Sequence, residues 1–333
     1  MFNLFDGPTA DDVWLRIVAE LSRGCQPLLG GRGGEFKELL HTAISVSDPR
    51  ERWVVSRQPT INPAFAIAEI VWILAGRNDS AFLNYFNSTL PRFAGEGESY
   101  HGAYGYRLRK HFSVDQLAVA FESLANNPQS RQVVLQIWDP QSDLPLNDGS
   151  PASPDVPCNL SSVLKIRDGA LEWLQIMRSN DVYLGFPHNV IQFTMLQEVL
   201  AGWLGLRLGS YNHVSDSLHV YRRDLDLTTN VGKISMPSKS DRFNDNYADT
   251  QKYVGRLASL VEDIIDPGNL PLDLLNKLSG LRVSPGWFNY AAILTAEACR
   301  RRQDIDSVSL ALELCGNQQL RFIFSCWLKR VAP

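Results

Sequence analysis

Residues 159–221 most constrain what this chain can fold into. Residues 159–166 and 170–177 each read as a strand, and Arg167-Asp168-Gly169 between them holds the Asp-Gly pair that a tight hairpin turn needs. Residues 190–204 then change period: Ile191, Met195, Val199 and Leu200 fall on one helical stripe, which Gly205 ends. Residues 211–221 return to a strand. The middle of the chain is therefore mixed α and β, and an α/β (α+β) architecture is expected.

Upstream, residues 10–23 set Val13, Ile17, Val18 and Leu21 at helical spacing, with Thr9 and Asp11 as caps. Gly30-Gly31-Arg32-Gly33-Gly34 reads as a flexible loop whose bare backbone could approach a ligand while Arg32 supplies charge, or as a solvated turn. Residues 39–47 follow as a strand. Residues 63–75 are apolar on nearly every side, so that helix must be buried. Glu69 within it must then be paired, protonated or turned to a polar cavity, because an unpaired buried carboxylate costs several kcal/mol.

Residues 78–110 read as a surface loop able to order over a ligand, 114–126 as an amphipathic helix, 132–138 as an apolar strand and 139–155 as a loop. Residues 236–251 are rich in Pro, Ser, Asn and Asp, which suits a linker. Beyond it, residues 252–265, 270–278, 287–301 and 306–328 read as helices. Two parts are expected: residues 1–235, mixed α and β, and residues 236–333, a helical C-terminal extension.

A net charge of −4 over 333 residues gives no basic field, so a nucleic-acid polymer is not expected as a partner, although a local basic pocket for a phosphate is. The five cysteines, Cys25, Cys158, Cys299, Cys315 and Cys326, are scattered and form no C-x-x-C pair. That argues against a disulfide framework or a zinc site and suits a reducing cytoplasm. No apolar run approaches the roughly 18 residues of a membrane span, and residues 1–12 lack a basic stretch ahead of an apolar core, so neither membrane nor signal peptide is expected.

The chemistry-bearing residues come in order: Pro157-Cys158, Met177-Arg178-Ser179-Asn180-Asp181, Gly185-Phe186-Pro187-His188-Asn189, then His219 and Tyr221. They offer one nucleophile, one anion-binding pair, one amide and one hydroxyl reader, an inventory that fits a nucleotide-modifying enzyme. Singly, each has a bland reading. Cys158 is a buried inert thiol, Arg178 a surface ion pair, His219 a core histidine and Asn189 a helix cap.

Their joint order resembles that of thymidylate synthase and the pyrimidine-nucleotide hydroxymethylases over residues 30–225. Glu69 with Trp72 and Gly76 looks like the family's glutamate helix, Tyr104-Gly105 like its substrate-side tyrosine loop, Ser130-Arg131 like the arginine that reaches a partner subunit's phosphate, and Arg32 like the arginine of its first loop. The resemblance implies a thymidylate-synthase-like mixed sheet and one-carbon transfer from methylene-tetrahydrofolate to carbon 5 of a pyrimidine nucleoside monophosphate. Cys158 would add to ring carbon 6, because carbon 5 alone is too weak a nucleophile, with Arg178 as the nearby charge favouring the thiolate. Glu69 would move protons through water, alongside Tyr104, and Asn189 would read the base edge.

Arg178, Ser179, Arg32 and a second copy's Arg131 would grip the phosphate, which also implies a homodimer. Asn180 would bind substrate, Asp181 would face the pterin, and His219 and Tyr221 would hold the sugar hydroxyl.

The sequence departs from the synthases mainly on the folate side. Asn159 stands where they have histidine, Met177 where they have glutamine, and Gln132 where they have a second arginine. No tryptophan occurs in residues 90–101, the Asp216 to His219 spacing is one residue longer, and a short sealing tail is not seen. A synthase excludes water and takes hydride, whereas a hydroxymethylase admits water to the same intermediate. Hydroxymethylation of (d)CMP or dUMP is therefore the expected reaction, with methylation of dUMP as the alternative and a non-catalytic nucleotide-binding protein as the second.

Overall fold

The computed structural model describes the chain except residues 1, 24–25, 32, 230, 237–238 and 332–333. Arg32 and Cys25 therefore lie outside the described residues. The strands are β1 (Asn3–Gly7), β2 (Leu29–Gly31), β3 (Gly34–Val46), β4 (Val134–Gln136), β5 (Asn159–Arg167), β6 (Ala170–Asp181) and β7 (Arg207–Tyr221). The longer helices are α1 (Ala10–Arg23), α2 (Pro63–Leu74), α6 (Gln116–Asn126) and α8 (Gly185–Trp203). Short helical turns α3 (Ser80–Asn84), α4 (Pro91–Ala94), α5 (Tyr104–Tyr106) and α7 (Pro140–Asp143) lie between them. The last third supplies α9 (Tyr247–Ile265), α10 (Pro271–Gly280), α11 (Pro285–Arg301), α12 (Ile305–Leu314) and α13 (Gln318–Val331).

The described strands form one mixed sheet in the order β1-β3-β7-β6-β5-β4, with β2 paired to β3. Two parallel pairs, β1 with β3 and β6 with β7, are each joined through a helix, α1 and α8 respectively. The remaining pairs are antiparallel. This is a mixed sheet packed by helices, as the resemblance implies.

Helix α2 explains its own composition. Asn62 caps it by accepting from the backbone N–H groups of Ala64 and Phe65, Pro63 opens it, and every residue but Glu69 is buried. It packs against α8 on one side and against α9, α11 and α13 on others, so no face meets water. The buried carboxylate of Glu198 on α8 is held by Arg50 Nε at 2.8 Å, by Arg52 and by the backbone N–H of Phe243 at 3.2 Å, which fastens the segment after residue 240 to α8. At the far end of the chain, Arg330 on α13 donates to Thr60 O at 2.7 Å, just ahead of α2.

Several elements differ from expectation. The Gly30–Gly34 loop is partly a hairpin, with Leu29 paired to Phe36. Residues 78–110 are not one open loop. They hold three short helices and a π-helical turn, pinned by an Asp79–Ser99 bridge and by Arg107 donating to Asp143 at 2.7 and 2.9 Å. The single helix expected over residues 306–328 is broken at Cys315-Gly316-Asn317, where the Asn317 side chain caps α13 by accepting from Leu320 N. Helix α8 begins at Gly185, so Asn189 lies inside it rather than capping it. No helix among the described residues is long and apolar enough to cross a membrane.

Candidate active site

The parallel pairing of β6 and β7 sets Ser179 opposite Ser217, Asn180 opposite Leu218 and Asp181 opposite His219. Strand β5 runs the other way and starts with Asn159 opposite Met177. The end of β6, the end of β7 and the start of β5 thus share one end of the sheet, the carboxyl ends of the parallel strands where open α/β sheets carry their ligands. Asp181 Oδ1 then accepts from the N–H groups of Tyr183 at 2.7 Å and Leu184 at 3.0 Å. This Asx turn opens α8 and brings Asn189 over the same end.

Cys158 is partly exposed, and none of the four described cysteines is in a disulfide. Arg178 braces the segment before it, donating from Nε to Pro157 O at 2.9 Å and from Nη2 to Val156 O at 3.0 Å, while its backbone N–H binds Cys158 O at 2.9 Å. Two of the Arg178 donor groups are thus engaged by the backbone carbonyls just ahead of the thiol. Tyr104 lies beside Cys158 and is hydrogen-bonded to Asn159. Burial, then the neighbouring Cys158, pushes its hydroxyl far above the ordinary range, so it stays a neutral phenol. Its position depends on Gly105, since a Cβ there would fall 2.3 Å from Ile73 O of α2. On the loop ahead of Cys158, burial pushes the Asp155 carboxyl up to about 6, against the hydrogen bond it accepts from Gly102 N–H at 2.7 Å.

Glu69 is paired, by a residue that sequence reasoning passed over. His188 Nδ1 lies 2.8 Å from Glu69 Oε2, both side chains are mostly buried, and the imidazole packs edge-on against Phe65 at 5.1 Å. Among the described residues Glu69 Oε1 has no hydrogen-bond partner. The only signal for His188 was its place next to Asn189. The pairing spans 119 positions and appears only once α2 and α8 pack.

Asn189 is 8% exposed, and its amide is held on both sides, by Asn159 at 3.4 Å and by Asn180 at 3.1 Å. Asn180, expected to bind substrate, is 2% exposed, and its side-chain oxygen accepts from the Asn189 amide. His219 stands between Phe36 and Tyr221, and burial lowers its pKa. Its Nδ1 is buried with no partner among the described residues. A Cβ at Gly33 would fall 2.5 Å from the Tyr221 hydroxyl, so the glycine loop lies directly on Tyr221. Ser179 and Asp181 complete this end of the sheet.

Arg131 is not brought to it. It is exposed ahead of β4, whose Val134 pairs with Val163. That register sets Arg131 near the far end of β5, roughly 25 Å from Cys158 at the usual strand rise. No group of three metal-ligating side chains occurs among the described residues.

The family model for thymidylate synthase matches residues 54–240, a span that holds Cys158 and every residue just assembled around it except the glycine loop and Phe36. The chain belongs to the thymidylate synthase family. Within the family it is similar to the deoxyuridylate hydroxymethyltransferase of Bacillus phage SP01, 36% identical over 243 residues that make up 69% of this chain and 62% of that protein. It is also similar to the deoxyuridylate hydroxymethyltransferase of Pseudomonas phage M6, 33% identical over 60% of this chain and 56% of that protein. A thymidylate synthase of Clostridium beijerinckii is 28% identical over 54% of this chain and 64% of its own length. The chain spans less than two thirds of the length of each of these family members.

Proposed function

We propose that this chain is a folate-dependent hydroxymethylase acting on carbon 5 of a pyrimidine nucleoside monophosphate, dUMP first, through a covalent adduct on Cys158. The single observation that carries the reading is the convergence of Cys158, Tyr104, Asn189 and the Glu69–His188 pair at the carboxyl ends of β6 and β7. The two phage relatives named for deoxyuridylate hydroxymethylation support the choice of base and reaction.

In this reading the Cys158 thiolate adds to ring carbon 6 and makes carbon 5 nucleophilic. Tyr104, held neutral by burial, donates a hydrogen bond at the ring edge while Asn189 reads that edge. The unpartnered Nδ1 of His219, with Tyr221, suits a sugar hydroxyl. Arg178, Ser179, Arg32 and Arg131 of a second copy are the phosphate ligands. A homodimer is part of the proposal. Val163, Leu174, Ile176 and Val214 alternate with buried residues and remain half-exposed on one face of the sheet, an apolar surface suited to a second copy.

Methylene-tetrahydrofolate is the one-carbon donor of this proposal and supplies carbon at the formaldehyde level. Asp181 fits it, because only Oδ1 is used in the Asx turn and Oδ2 remains to accept from a pterin N–H. The chemistry needs Cys158 reduced, which suits a cytoplasmic setting.

Once carbon 5 bears an exocyclic methylene, a water oxygen bonds to that carbon and gives a proton to Glu69. The ring enolate then re-forms its double bond and expels the Cys158 thiolate. The Nδ1 of His188 fixes the Glu69 carboxylate for this step. In a single turnover His188→Phe, which keeps the packing on Phe65, is expected to release the carbon-5 hydrogen at close to the wild-type rate. Hydroxymethyl product should form on the order of 10²-fold more slowly. Equal slowing of both steps, or of neither, would show that His188 has no part in water addition.

The proposal is tested with carbon-5-tritiated dUMP, dCMP, UMP and CMP in the presence of methylene-tetrahydrofolate. Tritium release without dihydrofolate is the expected result. Release with dihydrofolate would mean methylation, and no release from any nucleotide would remove the enzyme assignment.

A further inference from the structure

Behind Asn189 runs a buried chain of hydrogen bonds with one direction. The indole Nε1–H of Trp173 donates to Gln175 Oε1 at 3.2 Å, and Ser162 Oγ donates to the same oxygen at 2.6 Å. Gln175 Nε2 donates to Asn159 Oδ1 at 2.9 Å, Asn159 Nδ2 to Asn189 Oδ1 at 3.4 Å, and Asn189 Nδ2 to Asn180 Oδ1 at 3.1 Å. Asn180 Nδ2 lies 3.3 Å from both Ser215 Oγ and His213 Nε2, and His213 Nδ1 lies 3.0 Å from the Tyr211 hydroxyl. Trp173, Gln175, Asn159 and Asn180 are 0 to 2% exposed, so water cannot substitute for any missing link.

Almost every member of this chain is reversible. A carboxamide exchanges oxygen and nitrogen with little change of shape, a hydroxyl rotates, and a neutral imidazole changes tautomer. Burial pushes His213 down to about 3, so it is neutral and able to do so. Trp173 is the exception, because an indole N–H only donates. Reversing the chain would turn Gln175 Nε2–H against it and leave a buried donor unpaired.

We propose that Trp173 fixes the polarity of the whole relay, and thereby the orientation in which Asn189 meets a pyrimidine, making Trp173 a specificity-determining positioning residue. The inference rests on the proposal that Asn189 reads the base. Uracil offers an N–H beside a carbonyl, and cytosine offers a ring nitrogen beside an amino group. One orientation of a carboxamide matches the first edge and the reversed orientation matches the second. A relay that cannot reverse commits the site to one of them. Trp173 does this without being near the ligand, two residues along β6 from Gln175 and beneath the sheet surface.

Trp173→Phe removes the only irreversible donor while keeping an aromatic ring. The ratio of kcat/KM for dUMP over dCMP is expected to fall roughly tenfold, and the ratio of nucleotide dissociation constants with it. Adding Asn180→Asp should restore the ratio, because aspartate accepts from Asn189 Nδ2 and fixes the polarity from the other end. Gln175→Met keeps side-chain volume and severs the relay one link later, with the same expected loss of ratio, so either variant carries the test. An unchanged ratio in both Trp173→Phe and Gln175→Met overturns the inference, as does an equal loss for dUMP and dCMP, which packing damage alone would give. A double variant that does not recover the ratio overturns it as well. Wild-type protein that binds neither nucleotide would instead remove the base-reading role of Asn189, and the inference with it.

Discussion

Cys158→Ala is expected to lower turnover by at least roughly 10⁴-fold while the dissociation constant for dUMP changes by no more than about threefold. The sulfur forms the bond that makes carbon 5 reactive, yet offers little in the ground state, where phosphate, sugar and base contacts dominate. The substitution also leaves the local backbone intact. Arg178 holds the carbonyls of Val156 and Pro157 with its side chain and Cys158 O with its own N–H, and none of these contacts uses the thiol. Calorimetric titration with nucleotide beside a tritium-release assay checks both halves. Parallel loss of binding and rate would mean that Cys158 is a structural residue.

Asn189→Asp is expected to shift preference from uracil towards cytosine nucleotides by on the order of 10²-fold, read as the ratio of kcat/KM values. An aspartate offers only acceptors, which suit the amino group of cytosine and repel the carbonyl of uracil. Its surroundings accommodate the change. Asn159 Nδ2 already donates towards position 189, and Asn180 can reverse its amide because Ser215 and His213 accept either polarity. Unchanged base preference would show that another group reads the ring.

What the sequence disclosed, and what it withheld, follows from the range of the interactions. The hairpin of β5 and β6, the buried helix α2 and the helix after Gly185 are written in local period and turn chemistry, so they are legible residue by residue. Strand β1 is not. Its five residues exist as a strand because they pair in parallel with β3, from Asn3 with Thr42 to Gly7 with Val46, a partner far along the chain. The break before α13 carries a local signal, Gly316-Asn317, which continuing apolar periodicity obscured.

The site divides the same way. Cys158, Arg178, Asn189 and His219 stand out because chemistry limits which residue types can fill their roles in that order. The Glu69–His188 pair and the relay from Trp173 to Asn180 are made of ordinary residues. Their meaning depends on helix packing and strand register, which pattern alone does not supply. Asn159 was visible only as a departure from histidine, and its partners Gln175 and Asn189 explain what the amide does there.

The most direct measurement uses 5-fluoro-dUMP with methylene-tetrahydrofolate and mass spectrometry of the intact and digested protein. Fluorine cannot leave carbon 5 as a proton does, so addition should stall with the sulfur still bonded to carbon 6. The expected result is an added mass equal to nucleotide plus folate donor, mapped to the peptide containing Cys158 and absent from Cys158→Ala. No covalent adduct, or an adduct on another residue, would contradict the account.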